Sequence, residues 1–253
     1  LVSAALALAG SLTFTGSAKA QEAARPADAQ ATPAVSDHEM MVGTFAVGYL
    51  GRYRVPLGNF LADHTPDTED NPGSATAPVL GVRYWLSSLL GIDAGIGFSV
   101  TSAKTKLVDP GTSESRDEAG ITTMLFHAGV PLALAGARHF SFQVVPEANF
   151  GWAAQKVTEP GNARKHSGTV IDVGARAGAE LHFGFIKVPQ LSLQGSIGAL
   201  LSLESQKSNW TDAGAKTTRS EFAFGTSYQN RDDRTVKDPW DIFTSNISAL
   251  YYF

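Results

Sequence analysis

The sequence predicts an all-β protein: a closed antiparallel up-and-down transmembrane β-barrel of eight strands. Three observations predict it. From Met41 to Phe253 the chain is a succession of segments whose apolar residues recur at every second position, the period of a strand with two unlike faces. The connections between those segments alternate between short and long, as in a barrel with tight turns at one rim and larger loops at the other. The polar face of the segments carries mostly Gly, Ser, Thr, Gln and Asn, which suits a narrow packed interior better than a solvated exterior.

Composition sets the outer limits. At 253 residues the chain can form one barrel domain, and a net charge of −4 gives no reason to expect a nucleic-acid partner. With no cysteine there is no disulfide framework and no thiolate chemistry. Charged residues make up only 17% and there are 25 glycines, a balance that a barrel with one polar face accommodates and a helical membrane protein does not need.

Residues 1–20 are apolar and end Ala18-Lys19-Ala20, an A-x-A cleavage pattern. They read as a secretory signal truncated at its start. Residues 21–40 are rich in Ala, Pro, Asp and Gln without periodicity, the composition of a disordered leader. Asp37, His38 and Glu39 fall in that leader and are expected to be solvated. Residues 41–253 are the barrel.

Strands are expected near 41–55, 78–87, 91–103, 120–131, 139–155, 168–184, 190–204 and 241–253. Short turns fall near Ser87–Leu90, Leu132–Arg138 and Phe185–Pro189, and long connections near Pro56–Ala77, Lys104–Ala119, Lys156–Ser167 and Ser205–Trp240. The fifth strand is the clearest, with Phe140, Phe142, Val144, Pro146, Ala148, Phe150 and Trp152 on one parity and Ser141, Gln143, Glu147 and Asn149 on the other. Its end aromatics lie about ten residues apart, which at a tilt near 40° projects to about 25 Å, the height of a lipid-facing band. Phe140, Phe142, Phe150, Trp152, Phe243, Tyr251 and Phe253 are therefore the expected aromatic girdles. Pro146 removes a ladder hydrogen bond and predicts a local distortion.

Periodicity alone leaves open which face is inside, since a soluble barrel alternates in the same way. The small polar residues decide for the lumen, and every Lys after residue 20 sits in an expected loop or strand end. The inward charges then form a set: Arg52, Arg54, Arg83 and Arg176 against Asp93, Glu147, Asp172, Glu180 and Glu204. Isolated charges in a cramped lumen are costly, so they are expected to pair, with Arg83 near Asp93 and Glu147 near Arg176 by hairpin counting. In the first strand the same alternation puts Tyr49 and Tyr53 outward. His127 and His182 are expected as packed lumen histidines.

The last eleven residues end on Phe253, with Phe243, Ser245, Ile247, Ala249 and Tyr251 on its parity. This resembles the C-terminal strand of bacterial outer-membrane β-barrels, and the chain from Met41 to Phe253 resembles the small OmpA-like barrel superfamily. The resemblance implies an outer-membrane location with both termini periplasmic, recognition of the last strand by the barrel assembly machinery, and a lumen filled by a charge network. It also implies outer-membrane lipid and lipopolysaccharide as surroundings, with a monomer expected. On this reading the final strand pairs with the first to close the barrel.

Catalytic chemistry has one candidate. His139-Phe140-Ser141 has the His-x-Ser spacing that lipid A deacylases of this architecture use, but on the fifth strand, at the periplasmic end and facing the lumen. Nucleophile and base need hydrogen-bond reach to each other and to substrate, so no enzyme, cofactor or metal site is expected. Acidic residues of the first long loop (Asp63, His64, Asp67, Glu69, Asp70) and basic ones of the third (Lys156, Arg164, Lys165, His166) read as cation or phosphate contacts, or as ordinary loop polarity. The leading function is a structural or surface-interaction barrel, with a narrow porin or small-solute channel as the alternative and a lipid-modifying enzyme behind it.

Overall fold

The computed structural model describes residues 35–57, 74–102, 104–109, 112–117, 120–159, 162–210, 216–224 and 244–253. The signal segment, most of the leader, residues 58–73 of the first long loop and Phe243 lie outside the described residues. The strands are β1 (Phe45–Pro56), β2 (Ser74–Trp85), β3 (Gly91–Thr101), β4 (Lys104–Asp109), β5 (Thr112–Asp117), β6 (Gly120–Gly129), β7 (Leu132–Ala137), β8 (Phe140–Glu159), β9 (Asn162–Phe183), β10 (Val188–Trp210), β11 (Lys216–Phe224) and β12 (Thr244–Tyr252).

Eight staves close into a barrel in the order β1, β2, β3, β6 with β7, β8, β9, β10, β12 and back to β1. Every neighbouring pair is antiparallel, and β12 seals the cylinder by pairing Tyr252 with Ala46 and Ala249 with Tyr49. The outward parity is apolar and exposed on each stave, as at Phe45, Leu80, Ile96, Phe126, Phe150, Ile171, Ile197 and Ile247. A closed ladder satisfies its backbone groups internally, the condition a strand must meet to cross lipid. Phe140, Phe142, Phe150, Trp152, Tyr251 and Phe253 are all on this exposed surface.

Three parts of the chain outside β1 differ from the sequence reading. The stretch Leu132–Ala137, expected within a turn, is strand β7 and continues the fourth stave along β8, leaving only Arg138 and His139 as the turn. The stave breaks at Val130–Pro131, opposite Pro146, whose carbonyl accepts the Val130 N–H at 2.9 Å. Pro146 cannot donate on that side, so the distortion appears in the neighbour that lost its partner.

Above the band, β8, β9 and β10 run on as strands through segments expected as loops, pairing Glu159 with Asn162 and Trp210 with Arg164. Outside lipid both faces of a strand are polar, so the period-2 signal fades while the ladder continues. β11 pairs with the upper half of β10, and β4 with β5 forms a separate two-stranded sheet.

Residues 37–40, expected in a disordered leader, form the short helix α1 (Asp37–Met40). Ser36 caps it: its hydroxyl accepts from the Glu39 N–H, and the Glu39 carboxylate accepts from the Ser36 N–H, a reciprocal box that the sequence Ser-x-x-Glu supports.

Candidate functional site

Among the described residues the lumen is where charged side chains converge, and it is filled in layers. At its centre the guanidinium of Arg83 is completely buried. It grips Asp93 through Nε at 2.7 Å and Nη2 at 2.8 Å, reaches Glu180 through Nη1 at 2.9 Å, and donates to the side-chain oxygens of Gln194 at 3.0 Å and Gln143 at 3.3 Å. The planar fork of an arginine suits this division of labour, with one edge bidentate on a carboxylate and the remaining hydrogens spread over other acceptors. Glu180 in turn accepts from Tyr252, Ser192 and Gln143, and the Tyr252 hydroxyl accepts from Trp85 Nε1 at 3.1 Å. Trp85 and Tyr252 come from the second and last staves, so this cluster ties the seam of the barrel to its middle.

A second cluster lies one step nearer the outer end. Arg176 Nη1 is 2.8 Å from Glu147 and donates to the Tyr53 hydroxyl at 2.9 Å, while its Nη2 is 3.4 Å from Asp93. Asp93 thereby links the two arginines. Asp172 accepts from Ser202 at 2.6 Å, and Glu204 from Gln206 at 3.3 Å. His127 pairs with Asn149 at 2.7 Å and His182 faces the Pro189 carbonyl at 3.2 Å.

Arg52 and Arg54 do not belong to this set. Both are exposed, and Tyr53, expected outward, is buried among the lumen charges. The cause is a bulge: the β1–β2 register shifts between Tyr49 and Gly51, where Gly51 has φ 130°. One extra residue reverses every later side chain. Below the bulge Ala46 and Leu50 point inward, and above it Tyr53, Val55 and Leu57 do. The Leu50 carbonyl left over by the bulge accepts from Asn246 at 2.9 Å and Ser248 at 3.1 Å. A side chain on Gly51 would fall on Asn246.

The bulge redirects the upper halves of β1 and β2. The β1–β12 ladder stops at Tyr49 and the β2–β3 ladder at Val79, whereas β1 and β2 stay paired to Pro56 and Ser74. This hairpin leans across the lumen. Val55 packs on Gly151 of β8, the stave opposite β1, and the Pro56 carbonyl lies on Gly168 of β9. Glycines there are required by close approach, because any Cβ at Gly168 would meet the Pro56 backbone. Leu50, Val55, Leu57, Ala75, Val79, Leu125, Ala153 and Val170 form one buried apolar plug with the hairpin at its heart. Strand alternation points to a charged filling but carries no sign of this apolar layer above it. The signal present was Gly51 in mid-strand, which marks a bulge.

At the other end α1 sits against the turns. The Asp37 carboxylate meets His139 Nδ1 at 2.7 Å and accepts the Gly184 N–H at 3.2 Å, while His38 Nε2 bonds the Ser88 carbonyl at 2.8 Å and its ring lies edge-on to Trp85 at 4.4 Å. His139 is thus engaged by Asp37, and Ser141 is buried and accepts from Gln143 at 2.9 Å. The His-x-Ser pair is not assembled as nucleophile and base through these atoms.

Burial holds the His38 imidazole below its usual range, with Arg83 and His182 nearby acting in the same direction and the Ser88 carbonyl and Glu180 opposing. The docked turn therefore keeps a neutral ring, whereas an undocked one titrates near its ordinary value of about 6.5. Docking present at neutral pH weakens progressively as pH falls below that value. Protection factors across residues 36–43, that is exchange corrected for the pH dependence of a free amide, are expected to be several-fold lower at about pH 5.5 than at about pH 7.5, and His38→Gln is expected to flatten that dependence. Equal protection at the two pH values would show that His38 does not govern docking.

No protein-family model matches the sequence, and no curated protein sequence matches it significantly. Among solved structures the chain is similar to a major outer membrane protein from Thermus thermophilus, at 14% identity and a TM-score of 0.41, covering 83% of this chain and 98% of that one. It is similar also to Ail, the attachment invasion locus protein of Yersinia pestis, at 16% identity and a TM-score of 0.34, covering 84% and 100%. A third is Acinetobacter baumannii CarO2, at 11% identity and a TM-score of 0.31, covering 84% and 99%. What defines the class of this protein is its own geometry: a closed eight-stave antiparallel barrel, apolar outside and ion-paired within.

Proposed function

We propose that this is an outer-membrane barrel of the surface-contact type, sealed against solute flow and displaying its extended outer strands and loops to the surroundings. The observation that supports this best is the double filling of the lumen, by the buried Arg83 cluster and by the β1–β2 hairpin packed on Gly151 and Gly168. The termini are assigned to the periplasm, beside the short turns. The terminal strand ending at Phe253 serves as the recognition element for the assembly machinery, and the folded unit is a monomer. The elongated β8, β9 and β10, paired beyond the lipid-facing aromatics, supply a rigid platform for contacts outside the membrane.

Planar bilayer recording on the purified full chain tests the sealed lumen. No stable open level is expected at moderate voltage. A steady conductance from every inserted barrel would replace this reading with the narrow-channel one.

A further inference from the structure

We propose that the outer wall of the barrel carries a phosphate-binding site for the headgroups of the surrounding outer-leaflet glycolipid. The site rests on the outer-membrane placement proposed above and adds to it. A depression of about 450 Å³ lies here, lined by Lys156, Lys165, Lys207 and Lys216 together with the small outward residues Thr122, Ala154 and Ser167, and touched by the buried Gln155, His166 and Ser208. These lysines are exposed and alternate along their strands with the buried Gln155, His166 and Ser208, so they project from the outer face and not into the lumen.

The register shows how they come together. Gly120, Lys156, Lys165, Asn209 and Lys216 form one row across β6, β8, β9, β10 and β11, and Ser167 and Lys207 face each other in the row below. Lys156 and Lys165 are direct cross-strand partners. Like charges at such a position repel and destabilise the ladder. Among the described residues no carboxylate lines the depression and none of the four ammonium groups is in an ion pair. An anion placed between them turns that repulsion into attraction, and the small side chains of Thr122, Ala154 and Ser167 leave it room.

Height identifies the anion. Trp152 is the last aromatic on the outward parity of β8, and Lys156 follows four residues later. At about 3.3 Å per residue and a tilt near 40° the backbone of the lysine row stands about 10 Å above that of Trp152. That is just above the headgroup layer, which extends roughly 5–8 Å beyond each side of the hydrocarbon, and a flexible lysine stem lets the ammonium reach down into it. A phosphoryl group there has several charge-assisted donors at hand, and the lipid acyl chains lie along Ile171, Leu203 and Phe150 beneath.

The test uses the purified full chain in nonionic detergent, with bis-phosphorylated lipid A, the same glycolipid after enzymatic dephosphorylation, and inorganic pyrophosphate as probes. Wild type is expected to hold the phosphorylated glycolipid about tenfold tighter than either other probe. Lys156→Gln with Lys165→Gln is expected to erase that preference, Lys156→Arg with Lys165→Arg to keep it, and Lys104→Gln with Lys106→Gln to leave it unchanged. The Arg pair also guards against a Gln pair that fails to fold. Equal binding of the dephosphorylated glycolipid, or an equal loss in the Lys104 and Lys106 pair, would overturn the site. Pyrophosphate binding as tightly as the glycolipid would overturn the headgroup assignment in favour of a soluble anion. The outcome is separate from conductance, so a barrel that conducts yet binds phosphorylated lipid A overturns only the sealed-lumen reading.

Discussion

Arg83→Met is expected to cost the barrel about 3–5 kcal/mol, read as a lower midpoint of urea unfolding in lipid or detergent. The side chain it removes is completely buried and satisfies Asp93, Glu180, Gln143 and Gln194 at once. Methionine fills similar volume, so the loss comes mainly from Glu180 left in a closed lumen without its arginine and from Asp93 left with only the 3.4 Å contact to Arg176. The same logic gives an internal control. Adding Asp93→Asn and Glu180→Gln to Arg83→Met removes the orphaned charges, and more than half of the lost stability is expected to return. If the triple variant is as unstable as the single one, packing by Arg83 outweighs its charge. If Arg83→Met unfolds like wild type, the cluster is not what holds the staves together.

The second large effect concerns the plug. Gly168→Ala puts a methyl group on the Pro56 carbonyl, a backbone atom that cannot swing aside as a side chain does. Either the hairpin withdraws from the lumen or β9 shifts, and overpacking of this kind costs about 1–3 kcal/mol. Withdrawal uncovers Val55 and Leu57 and opens the outer half of the barrel. Gly168→Ala is therefore expected to show flickering conductance in planar bilayers where wild type is silent. Gly195→Ala, where a Cβ has nothing within 4 Å, is the matched control and is expected to behave as wild type. Silence in Gly168→Ala, together with unchanged stability, would mean that the hairpin does not pack on β9 as described.

The first effect lies where the sequence was readable and the second where it was not. The antiparallel barrel, its eight staves and the lipid-facing parity follow from period-2 alternation, which needs only a strand with one face in lipid and one inside. The terminal strand shows this well: Ile247, Tyr251 and Phe253 are exposed, and Ser248, Leu250 and Tyr252 are buried. Tyr53, Arg52 and Arg54 show where the alternation misleads. A single bulged residue inverts the parity of everything after it, and alternation before and after the bulge looks the same in the sequence.

The outer strand extensions were hidden for a different reason. Lys156 and Lys165 sit in a paired ladder, yet neither face there meets hydrocarbon, so no hydrophobic period distinguishes that ladder from a loop. Likewise α1 is only a few residues long, and its Ser36–Glu39 box has meaning only once Asp37 has His139 and Gly184 to bind.

Residue order was thus enough for the strand class, the closure by the last stave and the residue types that line the inside, because each is a local consequence of facing lipid or lumen. Folding in three dimensions was needed to turn β1 and β2 into the lumen, to bring Tyr53 to Arg176 and Glu147, and to gather four lysines from β8, β9, β10 and β11 on one patch of outer wall. Those outcomes depend on register across strands far apart in the chain, and register is set by the sum of all ladder and packing contacts rather than by any one segment.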